Sequence, residues 1–200
     1  MIGLAGCQSS RLISECADEL DQPKKSFTEY SSFSIPVECF RSLNRKSSRY
    51  LSGLISKVER AYPEFLSSPD KVRISLHSSE KWISYRGLFG LCLPRDLILN
   101  LEYENELVAL LMWHLLRVGE NDESAFQGTV EGMYSSRYDP RGLSSIFGVL
   151  LNKRKNSPYS KEKLLYFRGA VDEVISKATP IRNPYVQSSE FLLFQREIRK

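Results

Sequence analysis

The chain has 200 residues, 42% of them hydrophobic and 26% charged, and a formal net charge of +4. That length and balance suit one domain able to bury a core without staples, with room for a short appendage. The mild charge is spread along the sequence, apart from Lys153-Arg154-Lys155 and residues 196–200, which excludes the dense basic footprint of a nucleic-acid-binding protein.

The first readable feature is Leu4-Ala5-Gly6-Cys7, a bacterial lipobox pattern followed by polar Gln8-Ser9-Ser10. The basic n-region and longer apolar h-region of a complete lipoprotein signal do not accompany it. An acyl chain on Cys7 would tie the protein to a membrane surface facing the periplasm, and residues 1–7 are then a remnant signal. Three cysteines remain, Cys16, Cys39 and Cys92, an odd number. No C-x-x-C pair occurs, and His77 and His114 are the only imidazoles, so neither a structural zinc site nor a dense disulfide framework is expected.

Residues 8–48 are rich in Ser, Lys, Glu and Asp, contain Pro23 and Pro36, and show little periodicity. They read as an N-terminal arm or tether with a short helix over 12–20, or alternatively as a packed extension. The main domain spans 49–200. Leu51, Leu54, Ile55, Val58 and Tyr62 recur at helical spacing over 51–65, and Pro63 ends that helix. Alternation over 71–76 predicts a half-buried strand, and 81–85 a second. Arg86-Gly87 gives a turn, and the apolar run 88–93 suits a further strand that Pro94 closes. A short helix follows at 95–101, and a stronger one at 104–118 with Glu104 and Glu106 near its positive end. Gly128 and Gly132 leave 125–135 ambiguous. Asp139 and Pro140 start a helix that runs to about 151. Others are expected from Pro158-Tyr159-Ser160 to 175 and over 189–198. No segment approaches the ~20 apolar residues that cross a bilayer. The order predicts an α+β fold, a small mixed sheet packed on several helices.

Several of these pieces stand in the order of one known family. Residues 72–76 fit its first strand, and Gly90-Leu91-Cys92-Leu93-Pro94-Arg95-Asp96-Leu97-Ile98 fits its G-x-I-x-V-x-x-G-L-L strand-to-helix segment. Glu106-Leu107 fits the E-L that leads into a metal helix. Arg137-Tyr138-Asp139-Pro140 fits a G-Y-D-P helix start, and Ser157-Pro158-Tyr159-Ser160-Lys161-Glu162-Lys163 an H-P-x-x-x-E-R stretch. Over about residues 50–175 the chain thus resembles the HtpX-type zinc metallopeptidases, periplasmic or membrane-embedded quality-control proteases. The resemblance implies a zincin-like domain.

In that register the family's H-E-x-x-H falls on Trp113-His114-Leu115-Leu116-Arg117, and its third ligand near Ser124. Two histidines at i and i+4 reach one zinc from one helix face, and the intervening glutamate takes a proton from the bound water. Trp offers only an N–H donor and Arg is a permanent cation, so neither Trp113 nor Arg117 can ligate zinc. The resemblance therefore implies a pseudopeptidase: no catalytic residues, no metal and no cofactor. It implies a binding or scaffold module of the cell envelope, lipid-anchored through Cys7, that holds a peptide or protein partner. Leu91, Trp113, His114 and Arg117 would line the former substrate groove, bordered by an edge strand at 88–93. Two alternatives stand beside it. One is an active hydrolase, with a rearranged zinc site or a Cys92–His114 nucleophile–base pair. The other is a lipoprotein accessory or inhibitory factor acting through its arm.

Overall fold

A computed structural model describes residues 28–29, 37–40, 43–61, 63, 73–87, 90–116, 122–177 and 187–200. The strands are β1 (Thr28–Glu29), β2 (Arg73–His77), β3 (Ser84–Gly87) and β4 (Gly90–Pro94). The helices are α1 (Arg45–Ala61), α2 (Arg95–Leu99), α3 (Glu104–Leu116), α4 (Asp122–Ser135), α5 (Arg141–Asn152), α6 (Lys161–Ser176) and α7 (Ser189–Arg199), with a 3-10 turn at Val37–Phe40. The fold is α+β, as the order of elements predicts. Among the described residues no helix is long and apolar enough to cross a membrane.

The sheet has the order β1-β3-β4-β2. β2 runs parallel to β4 and β3 antiparallel to it, while β1 pairs in parallel with β3 through Thr28–Ser84 and Glu29–Tyr85. β4 is therefore an inner strand, not the edge strand read from the run 88–93. Such a run is equally apolar whether one neighbour covers it or two. Arg86 and Gly87, read as a turn, belong to β3. At Gly90 the backbone has φ 141°, and a Cβ there would lie 1.9 Å from the Arg73 carbonyl oxygen. Only glycine lets β4 begin so close to β2.

Alternation along β4 sends Leu91 and Leu93 into the core, where Ile74 and Leu76 of β2 join them. Cys92 faces the other side of the sheet between Ser75 and Tyr85, and it is disulfide-bonded to Cys39 in the 3-10 turn. The arm of residues 8–48 is thus not a free tether where it is described. Its 28–29 segment extends the sheet and its 37–40 turn is pinned to β4. Its last four residues are the first turn of α1, capped by Asn44 Oδ1 accepting from Ser47 N at 2.8 Å. Cys7, Cys16 and the helix expected at 12–20 lie outside the described residues.

α3 is the central helix. Every residue from Asn105 to Leu115 is buried, against α4, α5 and α1. A helix apolar around its whole circumference belongs in a core. α4, ambiguous in sequence, is a helix. Ala125, Phe126, Thr129, Val130 and Met133 all turn inward, and their burial outweighs the ~1 kcal/mol that each glycine costs relative to alanine. α7 packs on α1 and α2, and its Gln195 Nε2 donates to the Ile98 and Leu101 carbonyls at 2.9 Å each.

The disulfide closes a 53-residue separation. Replacing both Cys39 and Cys92 by Ser is expected to cost about 2–4 kcal/mol of unfolding free energy. Denaturant unfolding of the oxidised chain and of the double variant measures the difference.

Candidate functional site

The start of α3 and the start of α5 are built against each other. α4 ends in a Schellman turn, with Arg137 N donating to the Tyr134 carbonyl at 2.9 Å and Tyr138 N to the Met133 carbonyl at 2.8 Å. Arg137 takes φ 62°, the left-handed conformation that glycine adopts at least cost. The chain then turns through Tyr138 and Asp139 into α5. Asp139 Oδ1 accepts from Arg141 N at 2.8 Å, which is the capping role read from the sequence. The Asp139 main-chain carbonyl accepts from Asn105 Nδ2 at 3.2 Å. At Gly142 a Cβ would stand 2.7 Å from the Asn105 carbonyl oxygen, so α5 passes α3 at a distance only glycine allows.

Two glutamates anchor this junction. Glu106 is buried, and its Oε2 accepts from the backbone N–H of Glu102 at 2.6 Å and of Tyr103 at 3.0 Å. Its Oε1 accepts from the Ser145 hydroxyl of α5. Glu104 accepts from Tyr50 Oη of α1 and Tyr138 Oη, each at 3.0 Å, and from the Ser188 hydroxyl ahead of α7. Lys57 Nζ donates to Tyr138 Oη at 3.0 Å and lies 4.1 Å from the centre of the same ring. Burial, and then the Glu104 charge, hold the Tyr50 and Tyr138 phenols well above the usual tyrosine range. Phenols so raised are hydrogen-bond donors and cannot serve as phenolate bases at neutral pH. The cluster joins α1, α3, α5 and α7.

The register that would hold zinc lies two to three turns further along α3. Trp113 is fully buried, with its ring 5.8 Å from Phe126 of α4, 5.1 Å from Phe147 of α5 and 5.9 Å from Phe167 of α6. His114 is also fully buried, its ring 5.4 Å from that of Trp113. Ser124 sits on the exposed side of α4, and Arg117 lies outside the described residues. The residues present do not fit a zinc ion: an indole and three phenyl rings fill the space where imidazole ligands and a water would stand. Among the described residues no group of three or more His, Cys, Asp or Glu side chains could hold a metal ion.

The groove read from the sequence takes a different form. Leu91, Trp113 and His114 all have 0% exposure, so these three form packed core and do not line an open cleft. The Cys92–His114 pair is ruled out as a nucleophile–base pair in the oxidised chain, because the Cys92 sulfur is bonded to Cys39. The other histidine, His77, is buried on the outer face of the sheet beside that disulfide. Its Nε2 meets the Ile83 carbonyl at 2.6 Å and its ring stands edge-on to Tyr85 at 5.2 Å. Burial lowers its pKa, against the raising effects of the Ile83 carbonyl and of Glu38 and Asp96. Sequence reasoning missed the Tyr50–Glu104–Tyr138–Ser188 cluster. Its members are 34 to 138 residues apart, and only the E-x-E spacing at the head of an apolar run hinted at it.

Set against known proteins, the chain matches no protein-family model and no curated protein.

Two outcomes follow from the junction. Arg137→Gly is expected to stabilise the fold by about 0.5–1 kcal/mol, the ~1–2 kcal/mol relief at the left-handed residue less the unfolded-state entropy of glycine. Denaturant midpoints at constant slope report it. The second outcome is alkaline. The folded state keeps phenolic protons that the unfolded chain releases above the ordinary tyrosine value of 10.0. The contribution of Tyr50 and Tyr138 is therefore whole below pH 10 and falls as pH rises beyond it. Unfolding measured from pH 8 to 12 should show this decline, and Tyr50→Phe/Tyr138→Phe should flatten it.

Proposed function

We propose that this chain is a zincin-like pseudopeptidase of the HtpX type, a binding module without zinc or catalysis that works in the bacterial cell envelope. One observation carries the reading. The segments that the resemblance matches to E-L and to G-Y-D-P, more than thirty residues apart, meet in one interlocked junction. Within it Arg137 stands at the family's glycine position and has a glycine-like φ of 62°. Three strands, a short helix and the metal-helix equivalent also follow in the order the family pattern gives.

Given that register, Trp113 in its aromatic cluster takes the first ligand position, and a side chain without a lone pair cannot replace histidine there. The Cys39–Cys92 disulfide supports an extracytoplasmic site, since such bonds persist in oxidising compartments. A lipid on Cys7 would place the protein on the membrane facing that compartment.

The partner surface moves away from the buried positions 91, 113 and 114. β2 pairs only with β4 among the described strands, so the outer edge of Arg73–His77 can accept an extended peptide by strand addition.

The experiment combines elemental analysis, peptide hydrolysis and hydrogen exchange on the oxidised full chain. Expected are no stoichiometric zinc after equilibration with the metal and no chelator-sensitive hydrolysis. Unstructured peptides retained in the presence of chelator should slow amide exchange in Arg73–His77. One zinc per chain, or hydrolysis abolished by chelation, would overturn the pseudopeptidase reading. Peptide retention that protects no β2 amide would overturn the edge.

A further inference from the structure

Two helices carry large apolar side chains into solvent. On α6 they are Leu165 and Tyr166, 50% and 68% exposed; on α7 they are Leu192 and Leu193, 46% and 59% exposed. Their surroundings differ in charge. At 3.6 residues per turn, the α6 pair shares its face with Glu162 and Glu173 and is flanked by Asp172. Arg168 of the same helix and Lys177 at its C-cap pair with Asp172 and Glu173 respectively. That face therefore offers no excess of positive charge to an anionic surface.

α7 is the opposite case. It buries Phe191, Phe194 and Ile198 against the body of the protein. The face turned outward by helical position carries Leu192, Leu193, Arg196 and Lys200, with Arg199 beside Leu192. No carboxylate shares it. The helix's two acids, Glu190 and Glu197, lie on one flank. Glu197 there accepts from Asn44 Nδ2 at 3.4 Å and Lys200 Nζ at 2.9 Å. The Lys200 hydrogen bond, then the charges of Lys200, Lys46 and Arg196, hold that carboxyl below the ordinary glutamate range. Lys200 thus partly neutralises the flank where that acid sits.

We propose that the outer face of α7 docks on an anionic lipid surface, with Leu192 and Leu193 entering the headgroup–acyl boundary and Arg196, Arg199 and Lys200 lying over lipid phosphates. The charge of the face selects an anionic partner, and its shape selects a lipid one. The face is one side of a single helix whose leucines project outward, whereas protein hot spots are seated in well-packed pockets. Adjacent leucines flanked by long cationic stems suit the interface plane, where stems lie along apolar surface and the charges stay at headgroup level. The proposal is independent of the pseudopeptidase reading and of any lipid on Cys7.

Cosedimentation of the purified, unlipidated full chain with vesicles tests it. Vesicles of phosphatidylglycerol mixed with phosphatidylcholine should bind the protein, and pure phosphatidylcholine vesicles should not. Each cation near an anionic surface contributes about 1 kcal/mol, so Arg196→Gln/Lys200→Gln should weaken partitioning roughly 30-fold, and added salt should act in the same direction. Leu192→Ser/Leu193→Ser leaves the charge unchanged and should still lose most of the binding, whereas Leu165→Ser/Tyr166→Ser on α6 should lose none. All six side chains are solvent-exposed, and circular dichroism checks that each variant folds. Absence of wild-type binding to the anionic vesicles would overturn the proposal, as would equal binding by the leucine variant. Binding to polyglutamate as tight as to the vesicles, untouched by the leucine changes, would overturn it in favour of an acidic protein segment.

Discussion

A helix buried around its whole circumference can carry ionisable side chains only where each oxygen finds a donor. α3 meets that condition at its first turn with Glu104 and Glu106, and the elements around that turn are joined by it. Glu106 uses its two oxygens to hold the backbone N–H groups of Glu102 and Tyr103 and the Ser145 hydroxyl. It therefore caps its own helix and fixes α5. Glu104 gathers Tyr50, Tyr138 and Ser188, which brings α1, the turn into α5 and the head of α7 to the same point. Beyond that turn α3 is apolar up to His114, and what surrounds it is correspondingly apolar: Leu91 and Leu93 from the sheet, Phe126 from α4, Phe147 from α5 and Phe167 from α6. The polar end sets the register of the helices, and the apolar length supplies their burial.

That division also bears on what fills the middle of such a helical core. A metal site and an aromatic cluster are alternative ways of occupying the middle of a helical core. The first needs lone pairs, a water and second-shell donors. The second needs only complementary shapes. Trp113, Phe126, Phe147 and Phe167 meet edge-to-face, tilted or, for Trp113–Phe126, stacked, at 5.1–6.0 Å, within the spacing at which aromatic pairs attract beyond their area burial. The same residues thus supply cohesion to four helices at once.

Much of this architecture can be read from the sequence, and the misreadings share a cause. The uniform apolarity of 107–116, the alternation of 72–76 and the Asp139-Pro140 helix start are local signals, and each corresponds to an element within a few residues. Strand order is not local. The run at 88–93 has the same composition at an edge or in the centre, and only the pairing of β2 and β3 on either side makes β4 an inner strand. The groove residues were misplaced for a related reason. The resemblance supplies a register along α3, but not whether the space beside that register is open, and three phenylalanines from three other helices fill it. The Cys39–Cys92 pairing was likewise closed to sequence, because four cysteines without a spacing motif carry no connectivity. α4 shows the converse: two glycines suggested a weak helix, while tertiary burial of Phe126, Val130 and Met133 settled it.

The disulfide and the sheet together limit where this protein can meet a partner. One face of the sheet lies on α3, and the other carries Cys92 bonded to the 3-10 turn, with His77 and Tyr85 buried alongside. Neither face is free. β3, which would otherwise be an edge, is paired with the chain's own Thr28–Glu29. Among the described strands the open edges are the outer sides of the two-residue β1 and of β2, and β2 is the longer. Its residues run from exposed Arg73 to buried His77, so the Arg73 end is the more accessible. A peptide paired there would lie parallel or antiparallel to a strand whose own partner β4 leads directly into α2 and α3. Any strain it imposed would reach the Glu104 junction through one short helix. The β2 edge is thus linked to the polar hub by one short helix, on a route that does not cross the aromatic core.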